Sequence, residues 1–140
     1  MSKLKVSFDY DGSLARESLQ KYATELVNFG YEVHIVTARF EDMGGYSAEF
    51  ITQNGIKDLK SEHEQLFKDA DLCGIPRDRI HFMNMRDKYE FFIENEGFLW
   101  HLDDDRYELG GINSHTKTIG ISCANGSNWR HKCDKLIKEI

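Results

Sequence analysis

The chain has 140 residues, 40% of them hydrophobic and 30% charged, with a formal net charge of −6. That length suits one domain with a single sizeable core, and no run approaches the roughly eighteen apolar residues of a membrane span. The acidic balance disfavours broad electrostatic binding to nucleic acid and leaves room only for a local basic groove. Cys73, Cys123 and Cys133 are odd in number and widely spaced, which argues against structural disulfides and against zinc or CxxC redox chemistry. The amino-terminal Met-Ser-Lys-Leu-Lys carries no apolar signal core, so the expected location is the cytoplasm.

Alternating apolar and polar residues predict a first strand over Lys3–Asp9. It runs into Val6-Ser7-Phe8-Asp9-Tyr10-Asp11-Gly12-Ser13, two carboxylates two residues apart followed by a glycine and a hydroxyl. Gly12 permits a sharp turn or a close approach, and Ser13 is suited to cap the next helix. Two carboxylates, a hydroxyl and a helix N-terminus meeting in one place can hold a cation and an anion together. An ordinary strand-turn-helix with solvated aspartates is the plain alternative for this stretch taken alone.

Ala15, Leu19, Tyr22, Ala23, Leu26 and Val27 then recur at helical spacing up to Gly30. Tyr31–Thr37 reads as a second strand. Gly44-Gly45 interrupts the chain before a short helix near Tyr46–Gln53, closed by Gly55. Ser61 and Glu64 form a capping box, opening a helix with Leu66, Phe67, Ala70 and Cys73 on one side. Gly74 and Pro76 stop it. Arg79–Asn84 is the third strand, and Asp87 caps a helix from Lys88 to about Asn95, ended by Gly97. Phe98–Asp103 and Lys117–Cys123 are the fourth and fifth strands. The last helix carries Trp129, Cys133, Leu136, Ile137 and Ile140 on one stripe. Its basic residues, Arg130, His131, Lys132, Lys135 and Lys138, read as a solvated face suited to the C-terminal half of a helix dipole.

Strand and helix in alternation predict an α/β fold, a doubly wound parallel sheet covered on both faces, in a single domain spanning 1–140. In such a sheet the C-terminal strand ends share one edge, where ligands bind. Strand one ends in Asp9 and Asp11, strand two in Thr37 with Ala38 and Arg39 behind it, and strand four in Asp103-Asp104-Asp105. Lys88 opens the helix that descends after strand three. Separate segments thus deliver carboxylates, a hydroxyl and an ammonium to one rim.

On these residues the chain resembles the haloacid dehalogenase (HAD) superfamily of phosphohydrolases. The motifs are the strand ending in Phe8-Asp9-Tyr10-Asp11-Gly12-Ser13, the strand ending in Thr37, the cation Lys88, and the acidic pair within Leu102–Asp105. The resemblance spans nearly the whole chain and implies a five-stranded, three-layer, Rossmann-like sandwich of sheet order 5-4-1-2-3. Asp103 and Asp104 are the pair nearest the strand end. Arg86 is the alternative to Lys88, although a guanidinium cannot replace a compact ammonium without a change of geometry.

The resemblance implies hydrolysis of a phosphomonoester through an aspartyl-phosphate. Asp9 is then the nucleophile and Asp11 the general acid and base. Mg²⁺ is the implied cofactor, held by Asp9, the backbone carbonyl of Asp11, and Asp103, with Asp104 orienting water or Lys88 or sharing the metal. Lys88 neutralises charge, and Gly12, Ser13, Thr37 and Ala38 supply amides and hydroxyls to the phosphate. Arg39 binds a second substrate group or pairs with nearby Glu41 or Asp42. His101 beside the acidic run reads as a packed or surface histidine rather than a ligand, and Trp100 and Phe98 as core. His115, His131 and the cysteines lack ligand spacing.

About twenty residues separate Ser13 from strand two, room for one helix, and 40–87 is taken up by two helices and a strand. The resemblance therefore implies a core with no separate cap or a minimal one, and an open site that takes a large phosphoester: a nucleotide, a nucleic-acid end or a phosphoprotein. Nucleic acid enters only as a substrate, no membrane partner is expected, and the oligomeric state is undetermined by sequence. The rival reading is a non-enzymatic HAD-fold protein that binds phosphate or metal. A signalling receiver domain would place its phosphoacceptor after strand three, where this chain has Asn84, and a metal-dependent adhesion module would need Asp-x-Ser-x-Ser.

Overall fold

A computed structural model describes residues 3–42, 48–53, 55 and 59–140. Five strands, β1 (Lys5–Phe8), β2 (Glu32–Thr37), β3 (Ile80–Phe82), β4 (Phe98–Asp103) and β5 (Ile119–Ser122), form one sheet in the order β3-β2-β1-β4-β5. Every pairing is parallel. The helices are α1 (Glu17–Asn28), α2 (Ala48–Gln53), α3 (Leu59–Cys73), α4 (Tyr89–Glu94), α5 (Arg106–His115) and α6 (Trp129–Lys138). Among the described residues no helix is long and apolar enough to cross a membrane.

The helices divide between the two faces of the sheet. On one, α1 (Leu19, Tyr22, Ala23, Leu26), α3 (Leu66, Ala70, Cys73) and α6 (Cys133) cover Val6, Phe8, Val33, Ile35, Trp100, Leu102 and Ile121 in one apolar cluster. On the other, α4 (Phe91, Phe92) and α5 (Ile112) pack with Val36, Met83 and Phe98. Parallel strands need crossovers, and crossovers that leave β1 in opposite directions along the sheet lay their helices on opposite faces. The reversal falls between β1 and β4, so a crevice opens there at the carboxyl edge.

One irregularity sets what faces that crevice. Lys5 pairs with Phe98, but Ser7 pairs with His101, so β4 carries one extra residue. Leu99 and Trp100 therefore both belong to the larger cluster. A side chain's face flips with each one-residue step of register. The bulge turns His101 and Asp103 to the α4–α5 face, the face of Ser7 and, by the period of two, of Asp9.

Several local expectations fail for identifiable reasons. Helix α5 falls where no element is predicted, and it contains Gly110 and Gly111. At Gly111 a Cβ would press on the Tyr89 ring at 3.0 Å, so the glycine serves helix packing. Ser61 lies inside α3, which already runs from Leu59, so it opens no helix there. No side chain caps α4: Lys88 occupies the cap position, and its N–H donates to Glu108 of α5 at 2.9 Å, not to Asp87. Ser13 does not cap α1 either; Arg16 takes that position without a side-chain bond. Gly44, Gly45 and the expected start at Tyr46 lie outside the described residues.

Candidate functional site

At the end of β1 the chain leaves the sheet through a wide turn. Leu14 N–H donates to Asp9 O at 3.0 Å and Ala15 N–H to Tyr10 O at 2.9 Å, each closing a turn one residue wider than α. Gly12 sits at φ +75°, where a side chain is strained, and a Cβ there would collide with the Asp104 carboxylate. The turn thus brings its backbone directly against the end of β4. Tyr10 anchors it from below, donating its hydroxyl to Asp69 of α3 at 2.7 Å.

The buried half of the site is built on one ammonium. Lys88 Nζ donates to Asp9 Oδ1 at 2.7 Å and to Asp103 Oδ2 at 2.6 Å. Lys88 is 2% exposed, Asp9 5% and Asp103 0%, so water does little to screen these charges. Asp9, Asp103 and the exposed Asp104 each offer one oxygen, and these three oxygens lie within 4.8 Å of one another. Two of the three, Asp9 and Asp103, bond the ammonium, and Asp104 stands beside them. Hard oxygens so grouped, beside a glycine cradle that admits nothing larger, are a donor set that fits a divalent cation.

The two buried carboxylates share Lys88 but differ in their other donors. Asp9 Oδ2 accepts only the Ser13 hydroxyl, at 3.1 Å, and that hydroxyl in turn accepts the Cys123 thiol at 3.1 Å. Burial pushes the Asp9 carboxyl up to about 8 against the pull of Lys88, and the charges of Asp103 and Asp104 add to the rise. Asp103 also accepts His101 Nε2 at 2.8 Å and the Asp105 N–H at 3.0 Å. Burial works against its ionisation, yet the donors from His101 and Lys88 hold it well below the usual carboxylate range. Burial alone would lower Lys88; the two carboxylates outweigh it and hold the ammonium firmly protonated.

The outer half is exposed. Arg39 grips Asp11 with both arms of its fork, Nε to Oδ2 at 2.8 Å and Nη2 to Oδ1 at 2.7 Å. The guanidinium lies 5.0 Å over the Tyr10 ring, and His63 on α3 stands behind it, Nδ1 3.4 Å from Nη1. Arg39 thus forms an ion pair with Asp11, 28 positions away in the chain. Thr37 is fully buried and accepts the Arg39 N–H at 3.2 Å, while Ala38 lines the cleft. Asp105, third of the acidic run, caps α5 by accepting from Tyr107 N–H at 2.9 Å.

Asp9, Asp11, Ala38, Lys88, Asp103 and Asp104 thus line one cleft of about 590 Å³. Arg86, Met85 and Tyr107 form its wall beside them. Asn84 and Met85 hold the left-handed conformation in succession, φ 53° and 63°, pinned by bonds from their N–H groups to Arg39 O and Ala38 O at 3.1 and 2.7 Å. Such strain in a non-glycine pair persists only where surrounding bonds over-determine it. Gly12, Ser13, Thr37 and Arg39 are not among the cleft's lining residues but touch them or one another: Gly12 lies against Asp104, Ser13 donates to Asp9, Arg39 grips Asp11, and Thr37 accepts the Arg39 N–H.

Sequence reasoning assigned no role to Ser7 or Glu108, and read His101 as a packed or surface histidine rather than a ligand. A signal was present: His34, His81 and His101 interrupt apolar strands that, buried on both faces, are normally continuous. No model of a known protein family matches the chain, and no curated protein matches it. Fold and site define an α/β protein with an all-parallel sheet and a lysine-centred acidic cluster at its carboxyl edge.

Proposed function

We propose that the protein is a Mg²⁺-dependent phosphomonoester hydrolase of the HAD type. The observation that carries the reading is the convergence of Asp9, Lys88, Asp103 and Asp104 from β1, the α4 start and β4 on one cleft at the switch point of the sheet. Mg²⁺ would be held by Asp9, Asp103 and Asp104, with the Asp11 carbonyl as a further oxygen; bound there, it offsets the charge of a phosphate dianion approaching a carboxylate.

The chain's own residues supply the rest. An Asp9 oxygen forms a bond to phosphorus as the ester oxygen leaves, and Asp11 gives that oxygen its proton. Asp11 next takes a proton from water, whose oxygen displaces Asp9 and releases inorganic phosphate. Lys88 holds Asp9 in line and offsets charge on the phosphoryl group. To act, Asp11 turns one oxygen from Arg39 to the leaving group. Between β1 and β2 the chain holds only the wide turn and α1, so the substrate is a large phosphoester such as a nucleotide or a nucleic-acid end. The proposed setting is the cytoplasm, in keeping with three free thiols.

The test is hydrolysis of p-nitrophenyl phosphate with Mg²⁺ and with EDTA, beside Asp9→Asn. Turnover that needs both metal and Asp9 is expected. The bidentate hold on Asp11 favours one second reading, a phosphate- and metal-binding protein whose acid is withheld. Binding of Mg²⁺ and beryllofluoride without turnover of any phosphoester would select it.

A further inference from the structure

Beneath Asp103 lies a hydrogen-bonded chain that the reaction above does not use. Ser7 and His101 are register partners on β1 and β4, and both are 0% exposed. Ser7 Oγ lies 2.8 Å from His101 Nδ1, and His101 Nε2 lies 2.8 Å from Asp103 Oδ2. A carboxylate only accepts, so Nε2 carries the hydrogen. Nδ1, on the other side of the ring, faces the Ser7 hydroxyl, so Ser7, His101 and Asp103 form one continuous hydrogen-bonded chain. The Phe92 ring, 5.2 Å from the imidazole, walls the ring in.

This chain divides the two oxygens of Asp103. Oδ2 receives two donors, Lys88 and His101, while Oδ1 receives the Asp105 N–H alone. Oδ1 is left with accepting capacity, and Asp103 is among the residues that line the cleft. We propose that His101 is a positioning residue for the cation site: a buried donor, backed by Ser7, that fixes the Asp103 carboxylate. An apolar residue would pack against Phe92 but leave Asp103 to rotate. The inference rests on the reading of Asp9, Asp103 and Asp104 as a Mg²⁺ site.

The test is calorimetric titration of Mg²⁺ into the full chain and into His101→Leu, His101→Gln and Ser7→Ala. Loss of a partner behind a ligand lowers metal affinity by about 10–100-fold, and that range is expected for His101→Leu. The Gln amide can still donate to Asp103, so His101→Gln should restore affinity to within a few fold. Ser7→Ala should fall between them. In turnover, the Mg²⁺ concentration for half-maximal rate should rise in His101→Leu while substrate KM at saturating Mg²⁺ stays unchanged, a split that mere loss of stability would not produce. Nitrogen-15 NMR of the wild-type imidazole should show the Nε2–H tautomer. The Nδ1–H tautomer overturns the proposal whether or not the leucine variant folds. Variants that bind Mg²⁺ as tightly as the parent overturn it alone, whereas a parent that binds no Mg²⁺ overturns the metal-site reading and this inference together.

Discussion

The two faces of the sheet are built from different materials. Under α1, α3 and α6 the strands present Val6, Phe8, Val33, Ile35, Trp100, Leu102 and Ile121, all apolar. Under α4 and α5 the register sets Ser7 beside His34 and His101, and Val36 beside His81. The first face holds the fold together by excluding water from hydrocarbon. The second is wired with hydrogen bonds, and the same period of two that places Ser7 and His101 there carries Asp9 and Asp103 into the cleft. The difference teaches where stability and chemistry separate: adjacent residues of one strand serve one or the other.

The sharpest way to draw that line is Asp9→Asn. We expect turnover to fall by about 10⁴-fold, on the order of 5 kcal/mol in the barrier. Asn removes one charge from carboxylates of Asp9, Asp103 and Asp104 that crowd on one another, so thermal melting should occur at or above the parent temperature. A variant that loses stability along with turnover would mean that the Asp9–Lys88 bond supports the fold.

Trp100→Ala asks the opposite question. The indole is fully buried, 5.5 Å from the Phe8 ring and 6.2 Å from that of Tyr22, and its N–H finds no acceptor among the described residues. Truncation should cost about 3–5 kcal/mol in chemical denaturation. Mg²⁺ affinity under native conditions should stay within a few fold, because Trp100 and His101 point to opposite faces. Affinity that falls with stability would break the separation.

A second histidine chain on the polar face runs the other way and makes a useful control for the first. His34 Nε2 lies 2.9 Å from Glu32, so it donates, and His34 Nδ1 accepts His81 Nε2–H at 2.9 Å. It ends on a carboxylate that already has Arg79 at 3.6 Å, at the amino edge of the sheet. Burial depresses His81 from 6.5 to about 4, with His34 adding to the fall, and burial lowers His34 as well. The folded protein therefore keeps these rings neutral where the unfolded chain takes up protons. Their contribution to stability is fully present above pH 6.5 and is lost as pH falls from there toward 4. We expect a loss on the order of 2 kcal/mol across that window, reduced in His81→Gln. The difference between the two proteins cancels the remaining titrations. An equal loss in both would remove His81 from the pH response.

The sequence made much of the rim legible because strand ends are local. Thr37 and Asp103 end their strands where the sequence pattern ends them, and Asp9, Lys88 and Asp104 follow from short motifs. What stayed hidden depends on register between distant segments. Ser7 and His101 are 94 positions apart, and only the bulge in β4 brings them to one face. Arg39 reads locally as a partner for Glu41 or Asp42, but the wide turn after β1 puts Asp11 in its fork. Helix α5 carries two adjacent glycines, poor helix formers, of which Gly111 makes room for the Tyr89 ring.

The smallest expected effect tests the exposed edge against the buried centre. The Arg39 and Asp11 side chains are 22% and 60% exposed, whereas Lys88 and Asp103 are 3% and 0%. Exposed pairs contribute little, so Arg39→Gln should change stability by less than about 1 kcal/mol. A pair that weak alters turnover by less than about tenfold if Arg39 acts only through Asp11. Asp11→Asn should instead lose about 10²–10⁴-fold on esters with poor leaving groups, because the proton itself is missing. Added salt should reproduce the Arg39→Gln effect in the parent, since screening reaches the rim and not the buried cluster. If Arg39→Gln falls as far as Asp11→Asn, and salt does not mimic it, the guanidinium contacts the substrate directly. The edge would then share in the chemistry that the comparison assigns to the centre.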